Sequence, residues 1–68
     1  MFGSWLVERI ESGRNYNLLR ISKRSNGYCY KEYYEFYEYV KKRISIKEYE
    51  ETKKQMTSTP NHRIITPK

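Results

Sequence analysis

The sequence is poor in the residues that catalytic, metal-binding and secreted proteins require. It has one cysteine, Cys29, so no disulfide can form within the chain, and an unstapled chain of 68 residues suits the reducing cytoplasm. One histidine, His62, and no aspartate leave no converging set of nucleophile, base and orienting group. Cys29 and His62 together fall short of the four ligands of a zinc site. We therefore expect a non-enzyme without a metal or other cofactor.

Glycine-rich loops and long apolar runs are also missing. The three glycines, Gly3, Gly13 and Gly27, are scattered, which excludes the common phosphate-binding loops. No stretch approaches the ~20 apolar residues of a membrane helix, and the N-terminal residues lack the basic and apolar regions of a signal peptide. We expect a soluble, cytoplasmic protein that has no membrane partner.

Positive charge and aromatic rings are what the sequence has in excess. Fourteen Lys and Arg residues against eight Glu residues give a formal charge of +6. That surplus favours a polyanionic partner, although it also serves the solubility of a small domain. Aromatic residues make up 16% of the chain. Because a domain of this size buries only roughly 60% of its unfolded surface, rings are expected to replace much of a thin aliphatic core.

The first half of the chain predicts three antiparallel strands. Residues 4–11 and 16–24 are rich in strand-forming residues and end in turn-forming ones. Asn26-Gly27 predicts a hairpin with a type I′ turn, which requires a third strand from Tyr28 onwards. Residues 28–37 fit the periods of both a strand and a helix, and the hairpin favours the strand. Residues 38–43 remain open between strand, loop and helix.

The second half begins with a helix start signal. Ser45 and Glu48 have the spacing of a capping box, and Ile44 can pack on Tyr49 as a hydrophobic staple. The helix is expected to end near Met56 and to be followed by a proline-containing irregular tail. The predicted fold is therefore α+β: a three-stranded antiparallel meander and one C-terminal helix in a single domain, residues 1–56, with a tail at 57–68.

One helix can cover only one face of such a sheet, so about half of the rings should lie outside the core. Tyrosines on an uncovered face need water, a partner protein or nucleic acid around them. The residues expected inside are Trp5, Leu6, Leu19, Ile21, Tyr30, Phe36, Val40, Ile46 and Tyr49.

The interpretation ranked first is docking on a partner protein, because tyrosine, tryptophan and arginine dominate protein interfaces. Its expected contact residues are Tyr33, Tyr37, Tyr39 and Glu35. An exposed sheet edge could also pair two copies into a homodimer. In size and style the chain resembles the small proteins with which phages and other mobile elements block or redirect host machinery. That resemblance implies a host protein as partner and a role as inhibitor or adaptor.

The alternative is a sheet that binds nucleic acid through cations and stacked tyrosines. Its expected contact residues are Arg20, Lys23, Arg24, Lys41, Lys42 and Arg43. Glu32, Glu35 and Glu38 argue against it, because they are interleaved with the tyrosines and would repel phosphates.

Overall fold

The computed structural model describes residues 3–67, which form one five-stranded antiparallel sheet and one α-helix. In chain order the elements are β1 (Leu6–Ser12), a 3₁₀ turn (Asn15–Asn17), β2 (Leu19–Arg24), β3 (Cys29–Glu35), β4 (Glu38–Ile44), α1 (Ile46–Thr57) and β5 (His62–Ile65). The strand order across the sheet is β4-β3-β2-β1-β5. The predicted α+β class with an antiparallel sheet is confirmed. The predicted number of three strands is wrong, because β4 and β5 extend the sheet at both edges.

The strand interpretation of the segment after Tyr28 is confirmed. Tyr33 in β3 lies opposite Leu19 in β2 and Val40 in β4. The strands on both sides of β3 form hydrogen bonds with its backbone N–H and C=O groups. A helix would instead pair these groups within its own segment. The segment that the sequence left open after residue 37 becomes β4 because it supplies the second of these partners.

The chain from residue 57 onwards is not irregular throughout, as the sequence suggested. Residues 62–65 form β5, which pairs antiparallel with β1 and places His62 opposite Ser12 and Ile65 opposite Arg9. A four-residue strand after a proline gives almost no local signal. It forms because β1 would otherwise present an unpaired edge, so the pairing depends on residues about 50 positions away in the chain.

The β2–β3 hairpin forms at the predicted place with a different turn. Gly27 N donates to Arg24 O at 2.9 Å, and Arg24 N donates to Tyr28 O at 2.9 Å. Of the loop residues only Gly27, at φ +88°, is left-handed, whereas a type I′ turn needs two such residues. The connection is therefore a three-residue loop, and the type I′ expectation is corrected.

The start of α1 follows the predicted signal. Ser45 Oγ accepts a hydrogen bond of 3.0 Å from Glu48 N, and the helix extends one residue beyond the expected end, to Thr57. Tyr49 and Met56, separated by two turns, are both buried against the sheet. One face of α1 therefore covers one face of the sheet.

The core is thin, and much of it differs from the expected set. Ile21 and Tyr49 are buried as expected, but Trp5, Phe36 and Ile46 are exposed, and Tyr30 is half-buried on the other face of the sheet. Phe36 occupies a turn and Ile46 starts the helix on its outer side, so neither can reach the interior. The buried cluster consists of Ile10, Ile21, Cys29, Ile44, Tyr49 and Met56, with Leu19 packed against it.

Candidate binding surface on the open face

Strand register assigns each side chain to one of two faces. Ile10 lies opposite Ile21, and both contact the core under α1. The intervening residues, such as Arg9 and Ser22, therefore point away from the helix, because neighbours along a strand alternate. We call the uncovered surface the open face, and the covered sheet surface together with α1 the helix side.

A row of alternating charges crosses the middle of the open face. Arg20 Nε donates to Glu11 Oε2 at 2.9 Å, and Arg20 Nη1 donates to Glu32 Oε2 at 3.3 Å. Arg63 Nη2 donates to Glu11 Oε1 at 2.9 Å, and the Tyr39 hydroxyl donates to Glu32. Both glutamates are buried. Cations and a phenol therefore cover the two carboxylates of the row.

The charged row changes the titration of two of its members. The hydrogen bond from Arg63 holds the pKa of Glu11 below its ordinary value; burial opposes this shift, and Arg20 adds to it. The hydrogen bond to Glu32 raises the pKa of the Tyr39 hydroxyl, because removing that proton would leave two anions in contact. Glu11 therefore stays ionised and paired at neutral pH.

Formal charge is divided unequally between the two faces. The open face has six cations and two glutamates, a surplus of four, and the helix side has six of each. The charged residues of the open face are Arg9, Arg20, Arg24, Lys41, Arg43, Arg63, Glu11 and Glu32. Those of the helix side are Lys23, Lys31, Lys42, Lys47, Lys53, Lys54, Glu8, Glu35, Glu38, Glu48, Glu50 and Glu51. Arg14 lies in a loop, and Lys68 lies outside the described residues.

A polar depression of about 290 Å³ lies beside the charged row. Ser22, at the centre of the middle strand, forms part of its lining and is 6% exposed. Ser22 Oγ and Arg9 Nε are both buried and have no hydrogen-bond partner within residues 3–67. We call this the basic depression; its lining residues are Leu6, Arg9, Ser22, Arg24, Tyr30, Glu32 and Lys41.

Two cations of the open face lie on tyrosine rings. The Arg43 guanidinium carbon is 4.2 Å from the centre of the Tyr28 ring, and Lys41 Nζ is 5.2 Å from that of Tyr30. Such contacts hold the long cationic side chains close to the sheet and leave their charges in water.

An aromatic cluster occupies one end of the open face. Tyr16 packs edge-to-face against Tyr34 and Tyr37, with ring centres 5.4 and 4.9 Å apart, and Tyr34 packs on Tyr39 at 5.8 Å. We call these four rings, with the neighbouring Phe36, the aromatic tip. Phe36 is 86% and Tyr37 is 77% exposed. The aromatic tip is therefore a large apolar area in contact with water.

The turn that carries the aromatic tip is strained. Phe36 and Tyr37 join β3 to β4 and have φ values of +51° and +67°. This is the two-residue arrangement that favours Asn-Gly, and bulky residues adopt it at a cost. These rings therefore do not occupy the turn for the sake of its local stability.

The residues expected to dock a protein are divided by the structure. Tyr37 and Tyr39 lie in the aromatic tip on the open face. Tyr33 is half-buried on the helix side, where Lys31 and Lys42 lie 5.5 and 5.8 Å from its ring centre. Glu35, at the end of β3, also belongs to the helix side.

The residues expected to bind nucleic acid are divided as well. Arg20, Arg24, Lys41 and Arg43 share the open face, whereas Lys23 and Lys42 lie on the helix side. Sequence reasoning grouped these cations by proximity along the chain and so mixed the two faces. It also missed Arg9, Ser22 and Arg63. Alternation along β1 places Arg9 on the same face as Glu11, so this residue could have been found from the sequence.

A second charged cluster lies on the helix side and supports the fold. Tyr49 donates to Glu8 at 2.8 Å, and Lys53 Nζ lies 3.0 Å from Glu8 Oε1. Burial opposes ionisation of Glu8, but Tyr49 and Lys53 outweigh it and lower the pKa of Glu8. Burial and the contact with Glu8 raise the pKa of Tyr49. This cluster ties α1 to β1 and presents no free charge to a ligand.

Other features of the described residues offer less. A depression of about 780 Å³ between Gly13, Arg14 and Pro60–Arg63 is bounded mainly by turns, and two of its side chains, Glu11 and Arg63, bind each other. Burial raises the pKa of the Cys29 thiol and makes it unreactive. Within residues 3–67, no three His, Cys, Asp or Glu side chains are grouped as metal ligands.

The helix in the described part of the chain, α1, is too short and too polar to cross a membrane. Comparison with known proteins finds no match for this chain among family models, curated proteins or solved structures.

Proposed function

We propose that the open face binds single-stranded nucleic acid. The observation that carries this proposal is the charge separation: a surplus of four positive charges on the open face and none on the helix side. Small proteins that are charged only for solubility have no reason to concentrate that surplus on one face. A surface of this kind attracts a phosphate backbone and releases its counterions.

The glutamates that argued against this function in the sequence do not oppose it in the structure. Glu35 and Glu38 lie opposite each other at the end of the hairpin, on the helix side. Glu32 is on the open face but is buried beneath Arg20 and Tyr39. A strand on the open face would meet exposed cations and few exposed carboxylates.

The width of the sheet favours a single strand over a duplex. Five strands at about 4.8 Å spacing are roughly 19 Å wide. The major groove of DNA is about 12 Å wide and admits a two-stranded ribbon, so this sheet is too broad to enter it. A single strand can cross the sheet and expose its bases to protein rings. Tyr28 and Tyr39 are exposed near the cations and offer stacking surfaces of this kind.

Salt dependence of binding tests the proposal directly. Four open-face cations, Arg9, Arg24, Lys41 and Arg43, have no carboxylate partner among the described residues. For a mixed-sequence single strand, the logarithm of the binding constant should therefore fall with the logarithm of salt concentration at a slope of about −3. Fluorescence anisotropy of a labelled oligonucleotide measures this slope.

The two faces of the sheet supply a charge-matched control. Lys41→Gln with Arg43→Gln removes two open-face charges and should reduce the slope by about 1.4. Lys31→Gln with Lys42→Gln removes two charges from the helix side and should leave the slope near that of the parent protein. No binding by the parent protein at low salt, or equal losses in the two double variants, would overturn the proposal.

A second candidate, protein docking, rests on the aromatic tip. The strained, exposed pair Phe36 and Tyr37 suits an anchor that fills a partner's pocket. This candidate keeps the role of inhibitor or adaptor acting on a host protein. The edge strand β4 carries Lys41, Lys42 and Arg43, and their mutual repulsion disfavours a homodimer through that edge.

Two single variants distinguish specific docking from nonspecific binding by exposed rings. They are Tyr37→Ala and Trp5→Ala. Both remove one exposed ring, but Trp5 lies outside the aromatic tip. If the tip is the docking site, affinity capture from the native host should recover one stoichiometric protein with the parent chain and with Trp5→Ala. Tyr37→Ala should lose it. Equal recovery with both variants would remove this candidate.

A further inference from the structure

The basic depression contains two hydrogen-bond donors that folding leaves unused. Ser22 is at least nine-tenths buried, and its hydroxyl has no partner among residues 3–67. Arg9 Nε is buried without a partner in the same depression, and Arg9 lies directly opposite Ser22 in the β1–β2 register. Each such buried, unpaired group destabilises the fold, so two adjacent ones indicate a ligand that satisfies both.

The surroundings of these donors define the chemistry of that ligand. Lys41 and Arg24 line the same depression, and Arg24 is held in place by Nε–H donation to Ser4 Oγ at 2.7 Å. The carboxylate in the lining, Glu32, already accepts hydrogen bonds from Arg20 and Tyr39. The lining therefore combines three cations and a hydroxyl with one carboxylate that is already paired. This arrangement fits an oxyanion.

We propose that the basic depression seats one phosphate group of the bound strand, with Arg9 Nε–H and the Ser22 hydroxyl donating to its oxygens. This inference rests on the proposed nucleic-acid function and deepens it by fixing the register of the strand on the sheet. A tetrahedral phosphate accepts hydrogen bonds from several directions at once, as donors on two neighbouring strands require. At about 290 Å³ the depression has room for a phosphate group.

Ser22→Ala tests the proposal without changing any charge. If Ser22 serves a ligand, removing its unpaired hydroxyl should leave the unfolding midpoint unchanged or raise it, while oligonucleotide affinity falls about tenfold at constant salt slope. Ser12→Ala, on the helix side of β1, should leave affinity unchanged. A purely structural role for Ser22 would instead lower the unfolding midpoint.

Arginine side-chain NMR gives a second measurement that needs no variant. The Nε–H resonance of Arg9 should shift on titration with inorganic phosphate and with the oligonucleotide. The resonance of Arg63, which already binds Glu11, should move much less. A glutamate peptide of equal charge should leave Arg9 unmoved, because the two oxygens of a planar carboxylate are arranged differently from those of a tetrahedral phosphate.

The outcomes separate this inference from the proposed function. If the oligonucleotide binds while Ser22→Ala behaves as the parent protein and Arg9 does not move, the phosphate site is wrong and the proposed function stands. If phosphate moves Arg9 but no oligonucleotide binds, the proposed function fails and the site serves another phosphorylated ligand. If the glutamate peptide moves Arg9 and outcompetes phosphate, the occupant is an acidic protein and the inference is overturned.

Discussion

The two faces of this sheet are formed by the same strands but differ in the side chains that they bury and in their charge. On the helix side, Ile10 and Ile21 are fully buried with Tyr49, and charges are equal in number. On the open face, Glu11 and Ser22 are buried instead, and one of them has a polar atom with no partner. The helix side therefore supplies the hydrophobic stabilisation. The open face contains buried polar groups that lower the stability of the fold.

This difference supports the proposal that the open face is the binding surface. A sheet optimised only for stability would not leave Arg9 and Ser22 unpaired or place Phe36 and Tyr37 in left-handed conformations. All four residues lie on the open face or at the turn beside it. The helix side shows no comparable irregularity among the described residues.

The largest expected effect distinguishes the faces by stability. Ile21→Ala should destabilise the domain by about 2–5 kcal/mol, because it leaves a cavity in the thin core. A domain of 68 residues has a total stability of roughly 3–10 kcal/mol, so this variant should lose a large fraction of it. Ile65→Ala, on the open face and partly exposed, should lose less than about 1 kcal/mol. Urea unfolding checks both, and similar losses would contradict the division.

A smaller effect concerns the charged cluster of the helix side. Tyr49→Phe should cost about 1–2 kcal/mol, since it removes a hydrogen bond to a partly buried carboxylate. Tyr33→Phe is the control, because its half-buried ring has no hydroxyl hydrogen bond among the described contacts. Thermal unfolding at neutral pH measures the difference, and equal midpoints for the two variants would refute the role of Tyr49.

The same cluster predicts how the stability of the fold decreases at acidic pH. Because the folded pKa of Glu8 lies below its ordinary value near 4.5, its ionised form stabilises the fold at neutral pH. This contribution should be lost as pH falls from about 4.5 through the lowered pKa. Glu8→Gln should flatten that part of the profile, leaving the similar contribution of Glu11. An unchanged acid limb in Glu8→Gln would show that the cluster does not couple to folding.

The smallest expected change in stability concerns the aromatic tip. Phe36→Asn with Tyr37→Gly should stabilise the domain by about 1 kcal/mol, because these residues adopt left-handed φ at little cost. Some of this gain is offset by the lost contact between Tyr37 and Tyr16. If the tip docks a protein, the same variant should lose its partner while gaining stability. Destabilisation would mean that the rings serve the fold.

Local signals in the sequence predicted several parts of this structure well. The Ser45–Glu48 cap located the helix start, and Asn26-Gly27 located the hairpin, although its turn type was wrong. The candidate binding surface was predicted less well. Cations adjacent in the chain, such as Lys41 and Lys42, point to opposite faces, so a cluster in sequence is not a cluster in space. Arg9 was missed because its neighbours in β1 are not basic.

The sequence alone located β1, β2 and β3, the turn between β2 and β3 and the start of the helix, because those signals act over a few residues of backbone. It also determined which residues of a strand share a face, since side chains alternate with period two. Only the tertiary structure decided that β5 pairs with β1 and that α1 covers the face of Ile10 rather than that of Arg9. Both choices depend on burial and hydrogen bonding between residues far apart in the chain, and they determine which cations and rings are left exposed.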